Sequence, residues 1–360
     1  MDKQLIDQVL TAYPVIKSGV SFSRFGSGHI HSTYRLQAGS SAYILQEFND
    51  RVFKYPERIS ANLTVLYSHL KPGMLDFELP LPLQNKDGKM FTAIGERLFR
   101  IFPFVEGVTK DKVDDLSACR AAAAAFADFV VAFLAVDSDS MRDTIPDFHN
   151  LALRYEQFEN SIRNPQVRIT QEVEDLIGFY QSQRDLVDTY RQYKSSLPLR
   201  VTHNDTKINN LIYQEDLSRV NALIDLDTIM AGYVFYDFGD LVRTVACSED
   251  ESSLNWDSIQ VDLGKYGALI AGFFQPLKDV LDRDEMGSLT YGGEMMTCIM
   301  GLRFLTDYLN GNVYYHISYE NQNLHRSKNQ RILLQSLRDH RPQIQQLVGD
   351  IMPTPKRMNT

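Results

Sequence analysis

Apolar and polar positions along the chain change their period as it proceeds. Residues 3–13 space their apolar side chains as a short amphipathic helix does. Strand-like alternation follows over 20–25, 32–36 and 43–48, and Thr33-Tyr34-Arg35-Leu36 with Tyr43-Ile44-Leu45 predicts a hairpin. Gly26-Ser27-Gly28 separates the first two of these strands. Pro56 then opens a helix, since its fixed φ suits a first turn, and Ile59, Leu63, Leu66 and Leu70 recur at three and four. That helix stops at Lys71-Pro72-Gly73. Asn85-Lys86-Asp87-Gly88 predicts a hairpin turn between two more strands, the second over 97–102.

At Phe102-Pro103-Phe104-Val105-Glu106-Gly107 the alternation ends and helical periodicity takes over. We expect a small lobe over 1–102, a hinge at 103–107 and a larger, mostly helical lobe over 108–360. The fold class is therefore α+β: two lobes, with a five-stranded antiparallel sheet in the first. Residues 115–136 predict a helix whose Ala122, Phe126, Phe129, Val130 and Phe133 form a core stripe. Further helices are predicted over 149–162 and 170–193, and Pro198 marks the start of a short strand. Beyond Asp240 the pattern is helical, with loops near 248–253 and 310–312 and a loose tail over 353–360.

The candidate chemistry sits in a polar stretch between apolar flanks. His203-x-Asp205-x-x-x-x-Asn210 lies between the lead-in Leu199 and Val201 and the strand Leu211-Ile212-Tyr213. A second strand, Leu223-Ile224, ends at Asp225. Phosphoryl transfer needs a carboxylate beside the acceptor hydroxyl, and an amide oxygen with a second carboxylate to hold Mg²⁺ against a triphosphate. On that logic Asp205 is the general base, and Asn210 and Asp225 are the metal ligands; Asn209 competes with Asn210, which is preferred on spacing. Gly26, Ser27 and Gly28 suit close approach of backbone N–H groups to phosphates, although a plain turn explains them equally well. No P-loop motif is present.

Three segments resemble the aminoglycoside phosphotransferase/choline kinase superfamily: His-Asn-Asp-Thr-Lys-Ile-Asn-Asn at 203–210, Ile-Asp-Leu-Asp-Thr-Ile-Met at 224–230, and Phe-Tyr-Asp-Phe-Gly-Asp at 235–240. The likeness extends to 25–30 and to Arg-Phe-Leu-Thr-Asp-Tyr-Leu at 303–309, and there it is closest to bacterial kinases that phosphorylate N-acetylhexosamines at C1. The resemblance implies a protein-kinase-like fold, ATP and Mg²⁺ as cofactors, and N-acetylglucosamine or N-acetylgalactosamine as acceptor. It gives Lys207 a contact with the moving phosphoryl group, the backbone around Pro103 and Val105 the nucleotide base, and His29, Arg303 and Asp307 the sugar. It makes Asp237 a buried brace of the catalytic loop and His203 a structural residue; Asp227 stands between a second metal shell and a turn cap. One departure is plain: Gln46 stands where kinases carry a phosphate-binding lysine, leaving that charge to Mg²⁺, backbone amides, Arg35 or Lys54. Choline, homoserine or aminoglycoside kinases on the same scaffold, or a non-catalytic binding module, are the competing readings.

Composition narrows the setting. A net charge of −9 and a pI near 5.4 exclude a broad nucleic-acid footprint. Cys119, Cys247 and Cys298 lack metal spacing and read as reduced thiols. The acidic start shows no signal-peptide pattern, and the longest apolar run, near 121–136, is broken by Asp128. The expected protein is a cytoplasmic monomer whose partners are a nucleotide and a small sugar, with neither nucleic acid nor membrane.

Overall fold

A computed structural model describes residues 2–16, 19–26, 31–50 and 53–352. Helix α1 (Lys3–Leu10) starts where the Asp2 carboxylate accepts the Leu5 N–H at 2.8 Å. Strands β1 (Ser21–Arg24), β2 (Ser32–Ala38), β3 (Ser41–Phe48), β4 (Thr92–Ile94) and β5 (Arg97–Pro103) form one antiparallel sheet in the order β1-β2-β3-β5-β4. Helix α2 (Pro56–His69) is inserted between β3 and β4. Leu36, Leu45, Phe99 and Ile101 bury one sheet face against Ile6, Val9 and Tyr13. This is a kinase-like five-stranded N-lobe.

One expected hairpin is placed differently. Asn85 does make a turn, its Oδ1 accepting the Asp87 and Lys89 N–H groups at 3.0 Å. The segment before it is not a strand, because Pro80 and Pro82 lack the N–H groups that a ladder needs. Only Leu83 reaches the sheet, donating to the Ile101 carbonyl at 2.7 Å. The hairpin between β4 and β5 turns instead at Gly95, where φ is +61°.

The rest of the chain is mostly helical: α3 (Leu116–Ala132), α4 (Leu151–Arg163), α5 (Gln171–Gln181) and α6 (Arg184–Ser196) precede two short hairpin-like ribbons. These comprise β6 (Arg200–Thr202) with β9 (Met230–Gly232), and β7 (Leu211–Tyr213) with β8 (Val220–Leu223). Helices α7 (Val234–Val245), α8 (Leu263–Leu277), α9 (Arg283–Leu309), α10 (Gln322–Asp339) and α11 (Arg341–Ile351) complete the described chain. The predicted α3 stripe is all core: Ala122, Phe126, Phe129, Val130 and Phe133 are each at most 1% exposed. Fully burying one such phenyl ring contributes about 1.5–3 kcal/mol. The helix expected over 170–193 is instead two, broken at Ser182 and Gln183. There the Gln183 amide donates to the Phe179 carbonyl at 2.8 Å, sharing that acceptor with the Ser182 hydroxyl at 2.7 Å.

Two contacts fix the frame beneath the polar loop. Gly239 of α7 and Gly292 of α9 meet so closely that a Cβ on either would collide with backbone of the other helix. Arg200 of β6 grips Glu285 of α9 through two hydrogen bonds of 2.8 and 2.9 Å. Among the described residues no helix is long and apolar enough to cross a membrane.

Candidate active site

Asp205 lies in the loop that leaves β6. The preceding Asn204 takes a left-handed backbone, φ 65°, that asparagine tolerates better than most residues. Asp237 of α7 holds this turn, its two carboxylate oxygens accepting the His203 N–H at 2.9 Å and the Asn204 N–H at 2.7 Å. Thr206 Oγ1 closes the brace by donating to the Asp237 carbonyl at 2.7 Å. His203 is structural in this geometry: its ring nitrogens meet the Ile224 carbonyl and the Asp205 N–H.

Asp205 itself is about one-fifth exposed and has two polar neighbours. Lys207 Nζ stands 2.9 Å from its Oδ1, and Asn210 Nδ2 donates to its Oδ2 at 3.1 Å and its carbonyl at 2.8 Å. Burial works to raise the Asp205 pKa, but Lys207 prevails and holds the carboxyl below its ordinary value. The same attraction raises the Lys207 ammonium. Asn209, by contrast, is exposed and donates to Asp111 at 3.3 Å. Asn210 is turned inward: its Nδ2 is anchored on Asp205, and its Oδ1 has no donor among the described residues.

Asp225 is brought beside Asn210 by the hydrogen bond from Ile224 N–H to the Asn210 carbonyl at 2.9 Å. Its backbone is left-handed, φ 60° and ψ 56°, an arrangement that side chains adopt only where surroundings enforce it. Burial, with Asp227 and Asp205 close by, pushes its carboxyl up to about 7. A carboxyl so displaced is short of a compensating cation. Asn210 Oδ1 and Asp225 together offer two hard oxygen donors, the donor set that suits Mg²⁺ when substrate phosphates supply the remaining ligands. Among the described residues no group of three His, Cys, Asp or Glu side chains forms an all-protein cage.

The Asp227 side chain accepts no backbone N–H of its own turn among the described residues. Arg100 of β5 embraces it through two hydrogen bonds, of 2.5 and 2.7 Å, and His31 Nε2 lies 3.1 Å from its Oδ2. Burial opposes ionisation there, yet the Arg100 guanidinium with His31 holds Asp227 well below the usual carboxylate range. Gln46 faces Arg100 across the β3–β5 ladder and accepts its Nε–H at 3.0 Å. The sequence signal was a charged residue in the middle of the apolar run 97–103, where alternation predicts strand and burial. Arg35, one of the residues considered for phosphate neutralisation, instead covers the Phe104 ring at 4.1 Å.

Of the residues expected to meet the nucleotide or the sugar, Gly26 has φ 75°, and Ser27, Gly28 and His29 lie outside the described residues. Pro103 has no N–H, and the Phe104 N–H donates to the Ala42 carbonyl at 3.2 Å. Val105 therefore keeps the one N–H of these three without an acceptor among the described residues.

On the opposite flank, the α9 pair Arg303 and Asp307 both reach the Tyr314–Tyr315 segment, Arg303 at its rings and Asp307 at its backbone. The Asp307 carboxylate is 4% exposed and filled: it accepts the Tyr314 and Tyr315 N–H groups at 2.8 and 2.9 Å and the Asn323 amide at 2.9 Å. It organises the loop after α9. Arg303 has no carboxylate within 4 Å among the described residues and stands over Phe148, Tyr314 and Tyr315 at 5.2, 5.8 and 5.5 Å. Arg154 of α4 is a second cation nearby, its charged form disfavoured by burial and then by Arg303, and its Nε has no partner among the described residues. Tyr308 is buried and packs in the core. His149 connects the two flanks, its Nε2 at 2.9 Å from the Asn204 carbonyl and its ring 4.2 Å from that of Phe148. Arg100, His31, Arg154, Phe148 and His149 were all missed in the sequence, since none lies in a motif.

A kinase-like α+β frame with this loop defines a phosphotransferase. A family model described as the phosphotransferase enzyme family, APH, matches residues 21–268, and the chain belongs to that family. Solved structures agree in fold. Spectinomycin phosphotransferase, in complex with ADP and spectinomycin, is 12% identical with TM-score 0.58, over 95% of this chain and 99% of that one. The microcompartment-associated aminopropanol kinase is 16% identical with TM-score 0.60, over 95% and 98%. A Plasmodium vivax ethanolamine kinase is 12% identical with TM-score 0.55, over 87% and 82%.

Proposed function

We propose that this phosphotransferase moves the γ-phosphoryl group of ATP to the anomeric C1 hydroxyl of an N-acetylhexosamine. The complex of spectinomycin phosphotransferase with ADP supports the nucleotide. It would lie between the sheet and the helical region, with residues 103–107 as hinge and the Val105 N–H toward the base. Asp205 accepts the C1 hydroxyl proton as the new C1–oxygen–phosphorus bond forms and the bond to the β,γ-bridging oxygen breaks. Lys207, already beside Asp205, meets the transferring group. Asn210 and Asp225 would hold Mg²⁺, which supplies charge neutralisation at the phosphates when bound.

The observation that carries the acceptor class is Arg303: a cation without a carboxylate partner among the described residues, framed by aromatic rings. A guanidinium there suits hydroxyl and acetamido oxygens, and it repels the ammonium group of a cationic acceptor. Asp307 then serves the sugar by shaping the loop that carries Tyr314 and Tyr315. An acceptor panel with ATP and Mg²⁺ tests the reading, monitored by ADP release and by loss of the sugar's reducing end. Turnover with ethanolamine, aminopropanol, choline or an aminoglycoside, and none with N-acetylhexosamines, would overturn the acceptor and leave the family chemistry intact.

A further inference from the structure

The place usually held by a strand lysine is occupied by a neutral side chain, and directly across the ladder stands a buried cation. We propose that Arg100, gripping Asp227, is a positioning residue that fixes the metal-facing geometry of Asp225, and that Gln46 is its companion rather than a lost function. The inference rests on the kinase reading of the site but not on the identity of the acceptor.

Arg100 comes from the N-lobe sheet and Asp227 from the turn after β8, so the pair crosses between the two parts of the site. Their side chains are 3% and 1% exposed. All three nitrogens of the guanidinium are engaged, two on Asp227 and one on Gln46. A lysine at 46 would set a second positive charge against Arg100, whereas glutamine supplies an acceptor; the two residues are one arrangement. His31 completes the grip. Its Nδ1 accepts the Asn49 N–H at 3.1 Å, which leaves Nε2 to carry the proton toward Asp227, and its ring stacks on Phe48 and Phe53.

What this grip controls is two residues away. Asp225, Leu226 and Asp227 form a tight turn, and Asp225 at its start holds the left-handed backbone. The turn is tied on its far side by Thr228 Oγ1 donating to the His203 carbonyl at 2.8 Å and by Asn62 of α2 donating to the Ile229 carbonyl at 2.7 Å. Arg100 is the tie on the near side. It also cancels the Asp227 charge and, with Lys207 already paired to Asp205, Asp225 is the carboxylate left with Asn210 to face a divalent cation.

Calorimetric titration with ADP, in the presence and absence of Mg²⁺, tests this without any acceptor. For wild type, Mg²⁺ tightens ADP binding. In Arg100→Lys and Arg100→Gln that Mg²⁺-dependent gain should fall roughly 10–100-fold, with metal-free ADP binding nearly unchanged, as for other groups that orient a metal ligand. Should Arg100→Gln fail to fold, Arg100→Gln with Asp227→Asn removes both charges together and is read by the same titration. A merely structural pair would lower Tm and leave the Mg²⁺-dependent gain intact in the folded protein. That result overturns the proposal. If wild type bound no ADP at all, the proposal would fall with the nucleotide reading, whereas rejection of sugars in the acceptor panel would not touch it.

Discussion

The metal-side cluster and the acceptor side are built in opposite ways. On the side proposed for the metal, Asp205, Lys207 and Asn210 lie within six residues, and the β7–β8 pairing, ending in the Ile224 N–H to Asn210 carbonyl bond, places Asp225 next to them. On the acceptor side, Arg303, Phe148, Arg154 and Tyr315 come from three separated stretches of chain and meet only through helix packing. In the first cluster a cation two residues away answers the Asp205 carboxylate, Lys207 standing 2.9 Å from it. The second keeps two arginines without carboxylates among the described residues, held instead by rings and carbonyl groups. A short loop can therefore conserve a reaction, while the distant packing of helices is free to change what is phosphorylated.

The sharpest break between the regions is expected at Asp205. Asp205→Ala should lower kcat roughly 10²–10⁴-fold, the loss typical of a general base, while ADP still binds. Near-normal turnover would remove Asp205 from that role. Arg303→Met should do the reverse, raising the acceptor KM roughly 10–100-fold, in line with loss of charge-assisted hydrogen bonds, without changing the KM for ATP. Steady-state kinetics with each substrate varied separates the two regions directly. If Arg303→Met altered ATP affinity alone, the division between the two regions would be wrong.

Asp307→Asn should have a smaller, structural effect. Weakening the Tyr314 and Tyr315 anchor should cost about 1–3 kcal/mol of stability and raise the acceptor KM several-fold, read by thermal unfolding and kinetics together. The last effect appears only on acidification and concerns the residue between the regions. Burial depresses His149 to about 3, and its Nδ1 has no partner among the described residues, so it is neutral in the folded chain. The unfolded chain binds the extra proton between about pH 6.5 and the folded value. Stability should therefore fall as pH drops through that window, by at most about 1.4 kcal/mol per pH unit from this group. His149→Gln should flatten that slope in Tm against pH; an unchanged slope would show that His149 does not set it.

Legibility followed the same division. The α3 stripe and the strands β1, β2, β3 and β5 were readable because burial imposes periods of 3.6 and 2 on consecutive residues. The Asn85 turn was readable but its context was not, because Pro80 and Pro82 remove a strand that the turn alone predicted. The helix over 170–193 concealed its break, since Gln183 reads as an ordinary polar position until its amide reaches Phe179. Spacing put Arg303 and Asp307 on one face of a helix, yet one carboxylate can satisfy backbone N–H groups from a loop seven residues on.

By itself the sequence determined where the candidate loop lies, because the base, amide and metal-facing acid proposed here sit at short, fixed separations along one strand–loop–strand path. It also determined the core faces, through periodicity. Only the tertiary structure decided that Gln46 faces a buried Arg100, that Asp227 belongs to that arginine, and that Arg303 stands among aromatic rings. Those are pairings between residues tens to more than a hundred positions apart, and a charge finds its partner only after packing has excluded water from between them.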